Sequence, residues 1–190
     1  MTITIVHGGQ TGVDRGAHEV AIANGWSLAG YMPSDKRDER GPIPEDVARF
    51  LVPHNKAGYG ARTEANVRAA HAVLIIVRDA DEPRATPGTS KTIDLAAQRN
   101  LPGRIVDPAT DVPQLASWIW RVLLMPCTLM LPLDGLQIEP APTRLLIAGP
   151  RESKWPGAQV ETAALLRRIA LAIVEIRSPK SDRDLPQEPR

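Results

Sequence analysis

TITIVHGGQTGVDRGAHEVAIANG, residues Thr2–Gly25, is the stretch that decides the fold of this chain. Its β-branched start, Ile3–Val6, is typical of a buried strand. The glycine-rich segment His7–Gly12 predicts a sharp turn, and the spacing of Thr11 and Asp14 predicts a capping box at the start of a helix. Such a turn leaves backbone N–H groups free and favours an anion, most often a phosphate. A purely structural turn is the alternative.

The composition indicates an ordinary globular domain. Of the 190 residues, 43% are hydrophobic and 24% charged, which fits one domain with a full core. We expect that domain to span residues 1–176, and the proline-rich residues 177–190 to form a disordered tail. A net charge of +1 argues against nucleic acid and anionic membranes as partners. A single cysteine, Cys127, and a start unlike a signal peptide favour a cytoplasmic protein.

Strands and helices alternate along the next part of the chain. Trp26–Met32 is predicted as a second strand. The charged loop 33–44 is either a solvated excursion or a loop that brings Lys36 and Arg37 over a ligand. Ala72–Val77 is an unbroken apolar run, as in strands of parallel sheets covered by helices on both faces.

Two further turns carry polar groups to predicted helix starts. Thr63 is predicted to cap a helix that runs to residue 70, with Arg62 just before it. The segment 88–92, GTSKT, resembles the end of a phosphate-binding P-loop, but Ser90 stands where the P-loop has a glycine, so we reject an ATPase. Its hydroxyl groups still favour binding of a phosphate or carboxylate.

The opening pattern returns near the end of the chain. Arg144–Ala148 is predicted as a buried strand, residues 149–154 as its turn, and residues 156–176 as a helix that begins at Pro156. Residues 125–142 are predicted as a proline-rich connector. The residues predicted to face inward in the first and last helices are Val13, Ala17, Val20, Ala21, Val160, Ala164, Leu165, Ile169 and Ile173.

This alternation predicts an open, mostly parallel sheet with helices on both faces. In such folds ligands bind beyond the carboxyl ends of the strands, so the four turns would meet at one edge. Together they predict a site for a phosphorylated or otherwise anionic ligand. The candidate binding residues are Gly8, Gly9, Gln10, Thr11, Gly12, Asp14, Arg15, Lys36, Arg37, Arg62, Thr63, Asn66, Gly88, Thr89, Ser90, Thr92, Gly149, Pro150, Arg151 and Ser153.

Four motifs carry a resemblance to a known family. They are GGQTGVDRGA (8–17), RTEANV (62–67), GTSKT (88–92) and IAGPRESK (147–154). With them the chain resembles the putative molybdenum carrier family, a circularly permuted YpsA-like branch of the SLOG superfamily of Rossmann-like domains. The resemblance implies a Rossmann-like fold in which the last strand and helix enter the same sheet as the first. It also implies a homo-oligomer, a dimer or tetramer, and a positively lined pocket that binds molybdenum cofactor, a phosphate-bearing pterin, or a nucleotide-like ligand.

The chain departs from the family pattern at two positions. Where the family commonly has Gly-Trp-Cys-Pro-Lys-Gly-Arg, residues 30–37 read GYMPSDKR, without the cysteine. In the third turn the family's glycine pair is replaced by Pro87-Gly88. These changes are compatible with a pocket that is tuned to a different ligand.

Three functions are consistent with this sequence. The leading interpretation is a binding or carrier protein, with no catalytic residue and no metal site, because the four histidines lack ligand spacing. The alternative is a phosphoribohydrolase like the Lonely Guy enzymes, which cleave nucleoside monophosphates; Asp14, Glu64 or Asp94 would be its acid/base. The third is a sensor of a nucleotide-like ligand.

Overall fold

The computed structural model describes residues 3–56, 58–124 and 143–177. Nine strands occur in these ranges: β1 Ile3–Val6, β2 Ser27–Ala29, β3 Tyr31–Met32, β4 Arg37–Asp38, β5 Gly41–Pro42, β6 Val52–Pro53, β7 Ala72–Ile76, β8 Gly103–Val106 and β9 Thr143–Ala148. The helices there are α1 Val13–Ala23, α2 Glu45–Ala48, α3 Tyr59–Ala69, α4 Pro87–Gln98, α5 Val112–Ile119 and α6 Ala158–Arg177. A π-helical turn, Trp120–Leu124, continues α5.

The central sheet has five parallel strands in the order β2-β1-β9-β7-β8. The late strand β9 lies between β1 and β7, with Ile5 opposite Leu145 and Leu74 opposite Ile147. Two small pairs, β3 with β6 and β4 with β5, lie outside this sheet. The predicted Rossmann-like sheet, with the last strand inserted beside the first, is confirmed.

Helices cover both faces of the sheet because successive strand residues point to opposite sides. On one face, residues such as Ile5 and Ile147 pack with α1, α5 and α6. On the other face, Val6, Ile75 and Leu146 pack with α3 and α4. Both faces are therefore apolar along each central strand, as the unbroken run of β7 predicts.

The prediction of one strand over Trp26–Met32 is wrong. Gly30, with a φ of 141°, separates β2 in the central sheet from β3 in a small pair. A Cβ on Gly30 would lie 2.0 Å from the carbonyl oxygen of His7. The chain therefore turns away from the sheet at a point where only glycine fits.

The predicted inward face of the last helix is partly wrong. Leu165, Ile169 and Ile173 are buried, but Ala164 is exposed and Val160 is 71% exposed. The reason lies in α1, where a Cβ on Gly16 would meet the carbonyl oxygen of Gln159 at 2.5 Å and Thr162 Cβ at 2.8 Å. This close approach of the two helices turns Val160 outward. The helix also begins at Ala158, after Pro156.

Two predicted segments lie outside the described residues: the connector 125–142 and, beyond Arg177, the tail. Arg177 itself ends α6. Within the described parts of the chain, none of the helices has the length and apolarity needed to span a membrane.

Candidate functional site

A cleft of about 230 Å³ opens at the carboxyl ends of the central strands. It lies where the loops after β1 and β9 approach α3 and α4. The two loops are joined directly, since Val13 N donates to Pro150 O at 3.2 Å. The lining residues are Gly8, Gln10, Asp14, Tyr59, Arg62, Thr63, Asn66, Thr86, Pro87, Gly88, Thr92, Leu146, Ile147, Ala148, Gly149, Arg151 and Lys154.

The carboxylate of Asp14 binds the loop after β1. Gly8 N and Gln10 N both donate to Asp14 Oδ2 at 3.0 Å. The predicted capping box is therefore wrong: Gly12 is the N-cap of α1, without a side-chain capping bond. The prediction that these N–H groups are free for a ligand is also wrong, because the chain's own carboxylate accepts from them.

Asp14 is a buried acid in a cationic setting. Burial raises the pKa of its carboxyl, while Arg62, the two N–H donors and Arg15 act in the opposite direction. Within the described parts of the chain, Oδ1 of Asp14 has no hydrogen-bond donor, whereas Oδ2 accepts from two. One oxygen of this carboxylate thus holds the loop and the other is available.

Arg62 crosses from α3 to the first loop. Its Nη1 donates to Gly8 O at 2.9 Å and lies 3.7 Å from Asp14 Oδ2. The predicted cap at Thr63 is wrong, because α3 begins four residues earlier, after Gly58 with its φ of 95°. Thr63 Oγ1 instead donates to Tyr59 O at 2.8 Å. Arg62 Nε is buried without a hydrogen-bond partner in the described chain.

The start of α4 forms the opposite wall. Thr86 is its N-cap, and the Thr86 side chain accepts from Thr89 N at 3.4 Å. Thr92 Oγ1 donates to Gly88 O at 3.0 Å and Ser90 Oγ donates to Arg84 O at 3.2 Å. The hydroxyl protons of Thr92 and Ser90 are thus used within the loop and helix, so their predicted role as phosphate donors is not supported. Gly88 faces open space, with no atom within 4 Å of an added Cβ.

Glu39, which the sequence analysis did not select, connects the charged loop to the loop after β1 and to the turn after β9. Its carboxylate accepts from the hydroxyls of Thr11 and Ser153, and from Ser153 N at 3.0 Å. Arg151 Nε lies 3.5 Å from its Oε2. Desolvation alone would raise the pKa of Glu39, but the bonds from Ser153 and Thr11 and the charge of Arg151 lower it overall.

The charged loop is solvated in part, since residues 34–37 and Arg40 are exposed, but it is also fixed to the rest of the chain. Asp38 is buried and forms an ion pair with Arg15, with 2.7 Å between Oδ2 and Nη2. Lys36 and Arg37 line a separate recess beside α2 and do not reach the cleft. The prediction that they lie over the ligand site is therefore not supported by their position. Asp38 is held inward by Arg15, and Glu39 by Thr11 and Ser153, so Lys36 and Arg37 lie on the outside of the loop.

Two buried histidines lie behind the first loop. Gly9 N donates to His7 Nδ1 at 3.1 Å, so the proton of neutral His7 is on Nε2. His7 Nε2 lies 3.2 Å from His18 Nδ1, to which it can donate. Burial, with the charges of His18, Arg15 and Arg62, lowers the pKa of His7 to about 3. His7 is a neutral support for the loop.

Asn66 has a structural part in the cleft wall. Its Nδ2 donates to Tyr31 O at 3.0 Å and its Oδ1 accepts from Tyr31 N at 2.7 Å. The buried amide therefore pairs with the backbone of β3 as a neighbouring strand would. It fixes α3 against β3, and this pairing uses one of the two N–H groups of the side-chain amide.

The chain is similar to known proteins both in sequence and in structure. A sequence model of the circularly permutated YpsA SLOG family matches residues 5–170. The chain belongs to this family. Its structure is similar to the crystal structure, at 1.45 Å, of a protein from Syntrophus aciditrophicus SB that is named a putative molybdenum carrier protein. The two are 27% identical with a TM-score of 0.71, over 88% of this chain and 94% of the other. A comparison with curated proteins gave no match.

In this circularly permutated YpsA chain, half of the predicted site residues line the cleft: Gly8, Gln10, Asp14, Arg62, Thr63, Asn66, Gly88, Thr92, Gly149 and Arg151. The structure places the other half outside its lining: Gly9, Thr11, Gly12, Arg15, Lys36, Arg37, Thr89, Ser90, Pro150 and Ser153. Several of these support the wall from behind; a Cβ on Gly12, for instance, would lie 2.6 Å from Pro150 O.

The site prediction omitted seven lining residues: Tyr59, Thr86, Pro87, Leu146, Ile147, Ala148 and Lys154. Thr86-Pro87 has the pattern of an N-cap followed by proline at the first helical position, a signal that could have placed the start of α4. Lys154 stands in the same turn as Arg151. Tyr59 carries no such local signal. In the described ranges, no group of three or more histidine, cysteine or acidic side chains is placed to hold a metal ion.

Proposed function

We propose that this protein binds and carries a small phosphate-bearing ligand in the cleft, either molybdenum cofactor or a nucleotide-like molecule. The observation that carries the proposal is the convergence of three cations, Arg62, Arg151 and Lys154, with the N-terminus of α4 around one cleft. Cations and a helix N-terminus favour phosphate together. The name of the Syntrophus protein supports the same class of role.

The groups left available in the cleft suggest where the phosphate binds. The N–H groups of Gly8 and Gln10 already donate to Asp14, so the first loop offers little to a second anion. Arg151 is 42% exposed at its side chain, Lys154 is exposed, and Gly88 faces open space. We therefore place the phosphate between Gly88 and the turn after β9.

Calorimetry with molybdenum cofactor and a panel of nucleotides tests this proposal. Arg151→Ala and Lys154→Ala are each expected to weaken binding about tenfold or more, since a hydrogen bond to a charged group contributes about 1.5–3 kcal/mol. Arg99→Ala removes an exposed arginine at the far end of α4 and serves as the matched control. Equal affinities for all four proteins would show that the phosphate does not bind here.

One observation favours the phosphoribohydrolase as a second candidate. Asp14 lines the cleft, burial raises its pKa, and Oδ1 has no partner in the described chain. The other two candidate acids are not in the lining: Glu64 is exposed beside Arg68, and Asp94 is paired with Arg84 at 2.7 Å. Release of free base from nucleoside monophosphates, abolished by Asp14→Asn, would establish this activity. Absence of turnover across the common nucleotides would exclude it.

The homo-oligomer and the single domain over residues 1–176 stay predictions. Light scattering measures the first, with and without ligand. Limited proteolysis tests the second, because one domain gives one resistant core. Dependence of the oligomer on ligand would favour the sensor.

A further inference from the structure

We propose that Tyr59 is the residue that selects a planar nitrogen heterocycle, a nucleobase or a pterin, by stacking against it. The inference rests on the proposed function and adds to it, because it excludes bare oxyanions and sugar phosphates as the preferred ligands. Three observations in the cleft support it.

The first observation is the position of Tyr59 itself. It is the first residue of α3 and lines the cleft, yet 49% of its surface is exposed. Its ring has one neighbour in cation–π geometry, the Arg62 guanidinium, 5.8 Å from the ring centroid. Within the described chain its hydroxyl has no hydrogen-bond partner. A large flat surface thus stands at the cleft, held by Arg62 and not covered by the core.

The second observation is the apolar wall. Two lining residues give the cleft apolar surface that solvent reaches: Pro87, exposed at the start of α4, and Ala148, partly exposed at the end of β9. An oxyanion such as phosphate or molybdate is bound by donors and cations and gains nothing from apolar surface. A flat ring does gain, because aromatic stacking and burial of apolar area stabilise it together.

The third observation is the negative group between the cations. Asp14 lines the cleft, and its Oδ1 has no donor in the described chain. A carboxylate repels a bare oxyanion but accepts a hydrogen bond from a ring N–H or exocyclic amino group. Arg62 contacts both Tyr59 and Asp14, so the stacking surface and the acceptor are neighbours.

Calorimetry with two sets of ligands tests the inference. Nucleoside monophosphates and a pterin phosphate carry a planar nitrogen heterocycle, whereas ribose 5-phosphate, inorganic phosphate and molybdate carry none. Comparison of the nucleotides with the pterin phosphate distinguishes a nucleobase from a pterin as the preferred ring. The wild-type protein is expected to bind a phosphate that carries a nitrogen heterocycle at least tenfold more tightly than any of the three ligands without one. Stacking on an aromatic side chain contributes a difference of this size.

Variants at position 59 separate stacking from other roles of the tyrosine. Tyr59→Phe keeps the ring, so binding should stay within about twofold. Tyr59→Ala and Tyr59→Leu should weaken ring-bearing ligands roughly tenfold and leave ribose 5-phosphate unchanged. Arg68→Gln, an exposed change in α3 outside the cleft lining, is the matched control. Thermal melts identify a variant that has lost its fold, and Tyr59→Leu keeps the bulk at the position.

The outcomes separate this inference from the proposed function. The stacking role is overturned, and the phosphate site stands, if phosphates without a nitrogen heterocycle bind as tightly as those with one. The same holds if Tyr59→Ala leaves all affinities unchanged while Arg151→Ala weakens them. If no phosphate-bearing compound binds, both are overturned.

Discussion

The guanidinium of Arg62 occupies the space in which a side chain on Gly8 would begin. Nη1 would lie 1.8 Å from a Cβ built on Gly8, and it donates to the carbonyl oxygen of the same residue at 2.9 Å. The glycine thus makes room for the side chain of an arginine 54 residues away. Through this contact α3 is joined to the first loop.

The first prediction concerns this pair. Gly8→Ala should displace Arg62 from Gly8 O and from Asp14 and lower the free energy of unfolding by about 2–3 kcal/mol, because partners of a buried charged network are left unpaired. Urea denaturation measures the change. Gly88→Ala, which meets no atom within 4 Å, should change stability by less than about 1 kcal/mol. Equal midpoints for both variants would contradict the displacement of Arg62.

The second prediction concerns the pH dependence of stability at His7. Because burial lowers its pKa from 6.5 to about 3, the unfolded chain takes up a proton that the folded chain does not. Stability is therefore lost as the pH falls from 6.5 toward 3, by up to about 1.4 kcal/mol per unit.

His7→Asn should keep an acceptor for Gly9 N and remove this dependence. The difference in unfolding free energy between wild type and variant, measured in urea at pH 7.5 and 4.5, should shrink at the lower pH. Glu39 titrates in both proteins and cancels in the difference, which therefore reports on His7 together with its contact partner His18. Parallel pH profiles would show that His7 is not the proton acceptor.

The third prediction concerns the tie made by Glu39. Glu39→Gln should weaken the bonds to Thr11 and Ser153 and release Arg151 from its carboxylate. Hydrogen exchange at the Ser153 amide should quicken roughly tenfold, since a hydrogen bond to a charged group contributes about 1.5–3 kcal/mol. Glu175→Gln, at an exposed position on α6, is the control.

The contribution of these bonds to stability should depend on pH and should be lost at acidic pH. The pKa of Glu39 is lowered in the folded chain, so its contribution is present above 4.5 and is lost as the pH falls through the folded value. A fall in the protection factor of the Ser153 amide on acidification, in wild type but not in Glu39→Gln, would support this, because the protection factor corrects the exchange rate for its intrinsic dependence on pH. Unchanged protection would count against the tie.

The fourth prediction concerns Asn66. Asn66→Asp should lower stability by about 2–4 kcal/mol, because a carboxylate oxygen would face Tyr31 O at the position of the present 3.0 Å donor bond. Asn55→Asp, an exposed change of the same type, should have little effect. Similar thermal melting of the two variants would refute the structural role of Asn66.

Much of the fold could be predicted because it is encoded locally. The apolar run Ala72–Ile76 and the β-branched start of the chain have strand periodicity that burial on two faces requires. The split at Gly30 and the outward turn of Val160 could not be predicted in this way, since each depends on a contact with a distant element: His7 O for the glycine, and α1 for the valine.

The candidate site, like the fold, could be predicted from the sequence only in part. The carboxyl edge of the sheet was predictable from topology, and with it the meeting of Gly8, Arg62, Gly88 and Arg151. The hydrogen-bond partner of each polar group could not be predicted. Glu39 is separated from Ser153 by 114 residues, a distance at which spacing carries no information.

Asp14 has a consequence for how a ligand would enter and leave the cleft. Because the carboxylate of Asp14 satisfies Gly8 N and Gln10 N, the conformation of the loop after β1 rests on contacts within the protein. A ligand that binds in the cleft as we propose therefore needs no hydrogen bonds from these two N–H groups, and its binding and release require little rearrangement of that loop.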